Sequence, residues 1–112
     1  MRRFGLARVH GRSMLPTLSE QDRLLVRYDA VPAAGDLVLV RLPAATSGDP
    51  RPLAVKRVAH REPDGWWVQR DNPAEGVDSW LVGTIADHDV VAIVVARVWP
   101  PRRVRLRFAV RD

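Results

Sequence analysis

Runs of valine and leucine too short to make helices recur along this chain, and clusters of turn-forming residues cut each of them off. Arg23-Leu24-Leu25-Val26-Arg27-Tyr28 follows the polar turn Glu20-Gln21-Asp22, and Asp36-Leu37-Val38-Leu39-Val40-Arg41-Leu42 follows the turn from Pro32 to Gly35. Short β-branched and aliphatic stretches bounded in this way read as strands. Phe4 to His10 supplies a first strand, Leu53 to Arg61 another, and Val90 to Trp99 a last one that Pro100-Pro101 ends. Pro63-Asp64-Gly65 predicts a turn that pairs Trp66-Trp67-Val68-Gln69 back as a hairpin. Pro43 to Pro52 reads as a loop and Asp71 to Gly83 as irregular chain. Without a sustained helical period or an internal repeat, the pattern predicts an all-β fold, a barrel or folded sheet with little helix.

At 112 residues the chain suits one domain, placed over residues 1–101, with 102–112 as a basic tail. It has no cysteine, which excludes a disulfide scaffold and a cysteine-rich zinc site and fits a cytoplasmic protein. The net charge of +5 comes largely from the two ends, where Arg2, Arg3, Arg8 and Arg12 face Arg97, Arg102, Arg103, Arg105, Arg107 and Arg111 along the sequence. The longest apolar run, Val90 to Ala96, falls far short of the ~20 residues that a membrane-spanning helix needs. The arginines at the start precede no apolar segment, so they form no secretory signal.

Two segments carry the chemistry. Gly11-Arg12-Ser13-Met14-Leu15-Pro16-Thr17-Leu18 is a loop that lifts one hydroxyl out of β-like sequence. Gly11 lets a backbone approach closely, and Pro16 lacks an N–H and holds Leu15 in extended geometry. A serine there becomes a nucleophile only if a base takes its proton. His10, His60 and His88 lie in no local signature and show no metal spacing. Lys56 is the stronger candidate. Of 18 lysines and arginines it is the only lysine, and a buried amine can act as a base where a guanidinium cannot. On a strand, Ala54, Lys56 and Val58 share one face, so the amine would leave an apolar surface that disfavours its charged form. Ser–Lys pairs are an attested form of hydroxyl-plus-base catalysis.

These residues resemble a known family. Ser13-Met14-Leu15-Pro16-Thr17-Leu18 is similar to the nucleophile box of the signal-peptidase-like serine peptidases, and Lys56-Arg57-Val58 to their general-base box. Asp71-Asn72 with Asp78-Ser79 is similar to their C-terminal box. The short form with Gly65-Trp66-Trp67-Val68 ahead of the Asp-Asn pair most resembles the nickel-type superoxide dismutase maturation proteases. The resemblance implies a coiled, mostly antiparallel β fold and a Ser13–Lys56 dyad. It implies an oxyanion hole built on the Ser13 N–H with Gly11 beside it, and scaffold roles for Asp71, Asn72, Asp78 and Ser79. It further implies removal of an N-terminal leader from a nickel superoxide dismutase precursor, without cofactor or metal. Three positions depart from the family pattern. Gly76 stands where a serine orients the lysine, Trp80 where an arginine pairs with the aspartate, and Arg70 where a glycine precedes Asp71.

Met14, Leu15 and Leu18 are expected to line an apolar groove for an extended peptide, because proteases hold substrate as an added strand. Trp66, Trp67, Trp80 and Trp99 are expected to pack the core and its rim. Two other readings change the function. One keeps the chemistry but makes the chain a general leader peptidase or a self-cleaving repressor-type domain; the missing anchor and the lack of a DNA-binding segment count against these. The other makes it a non-enzymatic β domain with arginine-rich ends that binds nucleic acid. Only Trp99 and Phe108 interleave with those arginines, so no nucleic-acid partner is expected.

Overall fold

The computed structural model describes residues 3–43, 53–74 and 79–100. Among these residues six strands form one antiparallel sheet: β1 (Phe4–Arg8), β2 (Arg23–Arg27), β3 (Leu37–Arg41), β4 (Leu53–Glu62), β5 (Gly65–Gln69) and β6 (Val90–Trp99). Their order across the sheet is β1-β2-β6-β3-β4-β5, and the sheet is open, with β1 and β5 at its edges. The expected all-β, mostly antiparallel architecture is therefore present. The strands begin and end within a residue or two of the expected bounds, because turn chemistry cuts them on both sides. β4 and β5 form the expected hairpin. The last strand lies between the second and third rather than at an edge.

Each face of the sheet buries a cluster of side chains. One face buries Leu24 and Val26 of β2, Leu37 of β3, Val55 of β4, and Ala92 and Val94 of β6, together with Val9, Met14 and Leu18 from the loop after β1. The other buries Val38, Val40, Val58, Val68 and Ile85. Neighbouring residues on a strand point to opposite faces, so β3 sends Leu37 one way and Val38 and Val40 the other. That two-sided burial is why β3 reads as an unbroken apolar run instead of an alternating one. Register shifts between β2 and β6, between β3 and β6, and between β4 and β5 bend the sheet around the first cluster.

The stretch from Asp71 to Gly83, expected to be irregular, contains one helical turn, α1 (Ser79–Val82). Ser79 is buried, and its hydroxyl accepts a 2.9 Å hydrogen bond from the Val68 N–H, which ties this turn to β5. Ile85 then exchanges two backbone hydrogen bonds of 2.8 Å with Trp66. That approach requires Gly65, since a Cβ there would lie 2.3 Å from the Ile85 carbonyl oxygen. The loop residues 44–52, Gly76, Asp78 and the basic tail at 102–112 lie outside the described residues, as does the side chain of Trp80.

Candidate active site

The loop that carries Ser13 leaves β1 and returns to β2, and backbone pairing closes its base. The Val9 N–H donates to the Asp22 carbonyl at 2.8 Å, and the Gln21 N–H donates to the Val9 carbonyl at 2.9 Å. The Asp22 carboxylate accepts from the Ser19 N–H at 2.8 Å and from Arg97 Nη1 of β6 at 2.9 Å, so a buried ion pair holds the far side of the loop. Met14 and Leu18 sink into the core on either side of Pro16 and draw the loop down onto the sheet. Burying two such side chains stabilises by about 1.5–3 kcal/mol each. Ser13, half-buried between these anchors, is thereby held in place.

Lys56 lies on β4 directly opposite Val38 of β3 and is only 2% exposed. Its Nζ lies 3.4 Å from Ser13 Oγ, the long end of hydrogen-bonding reach, and catalytic contacts in unliganded sites are often of this kind. A regular strand must send the next residue to the opposite face, and Arg57 goes there. Its Nε and Nη2 donate to the two carboxylate oxygens of Asp71 at 2.9 and 2.8 Å, while Nη1 donates to the Gly35 carbonyl at 2.8 Å. Thr17 Oγ1 of the serine loop donates to the same carboxylate at 2.6 Å. Asp71 therefore joins the lysine strand to the serine loop.

Asn72 completes the clamp. Its Nδ2 donates to the Arg12 carbonyl at 2.8 Å, its N–H donates to the Ser13 carbonyl at 2.8 Å, and its Oδ1 accepts from the Ala74 N–H at 3.0 Å. Arg70 folds over this turn, donating to the carbonyls of Asn72 and Pro73. Three segments far apart in sequence, around Ser13, Lys56 and Asp71-Asn72, thus meet at one place. Ser79 stands apart from it, against β5. Arg57 and Thr17 received no role from the sequence. The signal for Arg57 was its position next to Lys56 on a strand, which requires a partner on the other face.

A groove of about 360 Å³ leads to Ser13. One wall is the free edge of β1 from Leu6 to Arg8, continued by Val9 and His10, and the other is Leu53, Ala54 and Val55 of β4. β3 pairs with that part of β4 on one side, and β5 begins to pair on the other side only at Arg57, so among the described residues the second edge of Leu53 to Val55 carries no strand. Tyr28, Leu39 and Val91 line the space between, with Met14. Of the three residues expected to line a groove, Met14 does so while remaining largely core. Leu15 is half-buried and does not border it, and Leu18, with 0% exposure, belongs wholly to the core. The loop is anchored through these side chains, and the groove is walled by strand edges instead. Gly11 has a φ of 80° and open space where a Cβ would point, so it serves the turn through its backbone. Among the described residues no helix is long and apolar enough to cross a membrane.

A family model described as Peptidase S24-like matches residues 2–95, a span that includes Ser13, Lys56, Arg57, Asp71 and Asn72. No curated protein and no solved structure matches the chain.

Proposed function

Because this chain belongs to the Peptidase S24-like family, we propose that it is a serine endopeptidase in which Ser13 is the nucleophile and Lys56 the general base. One observation carries the reading: the only lysine of the chain is buried and its amine lies 3.4 Å from the hydroxyl of a serine at the end of an open groove. An extended peptide between the free edges of β1 and β4 would pair with both through its backbone. Its scissile carbonyl would then lie beside Ser13. The neutral Lys56 amine takes the Ser13 proton as Oγ attacks that carbon, and the ammonium so formed returns a proton to the departing amine. A water molecule, deprotonated in turn by Lys56, hydrolyses the ester and releases Ser13. The Ser13 N–H, with the Gly11 turn beside it, is the proposed donor to the oxyanion.

Asp71 and Asn72 act through position, keeping Ser13 against Lys56, as in the scaffold role the sequence suggests. The finer assignment is a cytoplasmic enzyme that removes the leader of a nickel superoxide dismutase precursor. It rests on the resemblance of the serine, lysine and Asp-Asn boxes, with Gly65-Trp66-Trp67-Val68 ahead of the last. The test is cleavage of such a precursor and of unrelated leader peptides by the purified chain, read by mass spectrometry. Ser13→Ala and Lys56→Met should each lower the rate by at least about 10²–10⁴-fold. Lys56→Met should leave the chain folded, as circular dichroism checks, because an apolar chain of similar length fills the same space. Cleavage that survives Lys56→Met would remove the lysine from the mechanism. Products of the chain's own sequence in place of peptide products would make it a self-cleaving domain.

A further inference from the structure

Arg8 of β1 and Arg23 of β2 are direct cross-strand partners, and both are exposed. Like charges in that arrangement destabilise a sheet. Charge on an edge strand can protect that edge from pairing with another chain. That reason does not apply to Arg23, because β2 is paired on both sides, with β1 and with β6. Among the described residues neither arginine has a carboxylate partner. Asp22, the acidic neighbour in sequence, is buried and turned inward to Arg97 and the Ser19 N–H. Arg8 and Arg23 line a cleft of about 310 Å³ that Leu6 and Ala7 complete. Leu6, Ala7 and Arg8 also line the groove that leads to Ser13, so cleft and groove share one wall.

We propose that the Arg8–Arg23 cleft is an anion subsite for the peptide in the Ser13 groove, and that the protein selects substrates with an aspartate or glutamate near the scissile bond. This deepens the peptidase reading and rests on it. The four residue steps from His10, two residues past β1, back to Leu6 span at most ~13 Å, which places the acidic residue within about four positions of the cleaved bond. Strand alternation then gives the recognised peptide a simple form: apolar side chains toward Met14, Leu39 and Val91, and a carboxylate on the opposite side toward the arginines. A second copy of this chain fits poorly, since the same face would bring arginines against arginines.

The test uses decapeptide mixtures that differ only in one fixed Glu, Gln or Lys, scanned through four positions on each side of the cleaved bond. Cleavage by the native chain is read by mass spectrometry, and binding to Ser13→Ala by fluorescence anisotropy. At one position Glu should be favoured over Lys by about five- to tenfold in both assays, the scale of exposed charge pairs. Arg23→Glu converts a repulsive cross-strand pair into an attractive one, so it should fold, and it should bring that ratio to about one. Arg8→Glu combined with Arg23→Glu should reverse it in favour of Lys. A ratio unchanged in these variants overturns the proposal. So does a loss confined to binding of phosphatidylglycerol vesicles or of a single-stranded oligonucleotide. Glu-selective binding without cleavage would retain the subsite and refute the peptidase reading; cleavage without Glu selectivity would do the reverse.

Discussion

Asp71→Asn is the sharpest probe of how the serine loop and the lysine strand are held together. Asp71 accepts three hydrogen bonds, two from Arg57 and one from Thr17. The Arg57 and Asp71 side chains are 11% and 12% exposed. Asparagine keeps one oxygen and turns an NH₂ group toward a guanidinium that can only donate. At least one charge-assisted hydrogen bond is lost, at about 1.5–3 kcal/mol, and Arg57 keeps its bond to Gly35. Breaking a fully buried pair costs about 3–5 kcal/mol and an exposed one below about 1, so a pair at this depth should cost about 2–4 kcal/mol. For a domain of this size that lowers the melting temperature by roughly 10–20 °C and leaves the fold intact. The loss should be coupled: with Arg57→Met in place, Asp71→Asn should cost about 1–3 kcal/mol less than it does alone. Because Thr17 lies four residues from Ser13, cleavage by the folded variant should fall by about ten- to a hundredfold, as expected for displacement of a nucleophile by about 1 Å. Calorimetry on the four members of the cycle, with initial rates at a temperature where all are folded, decides the matter. A melting temperature within 2 °C of the native value, with unchanged rate, would refute the claim that this network positions the site.

Two further predictions concern the opposite end of the sheet. Gly65→Ala puts a Cβ into the backbone of Ile85 and should cost about 1–3 kcal/mol, visible as a lower melting temperature; an unchanged value would mean that the Trp66–Ile85 pairing yields freely. Asp87 is held below its ordinary value of 3.8, first by its hydrogen bond from Arg61, helped by the bond from Trp66 Nε1 at 2.9 Å. A lowered carboxylate contributes above its ordinary value and loses that contribution as pH falls through the folded one. Trp66 emission should therefore change only below about pH 4, and Asp87→Asn should abolish the change; a transition at higher pH, or one that persists in the variant, would assign it to another group.

What could be read from the sequence follows from how local each cause is. The strands were legible because their ends are fixed by turn residues within a few positions, and Lys56 because an amine among apolar neighbours on a strand has few uses. The insertion of β6 between β2 and β3 left no such trace. Its register depends on which runs meet after the sheet bends, and Val90 to Trp99 would suit an edge or a centre equally well. Leu18 shows the same limit on a smaller scale. Its place in the serine box suggested contact with substrate, but composition cannot distinguish a leucine that lines a groove from one that pins a loop to the core. Asp71 is the instructive case, because its partner could have been inferred. Once Lys56 is placed on a strand facing the serine, Arg57 must project from the other face. A guanidinium there requires a carboxylate, and Asp71 precedes the asparagine that clamps the serine loop. The pair that carries the chemistry and the pair that aligns it are thus successive residues on one strand, each defined by the face it must take.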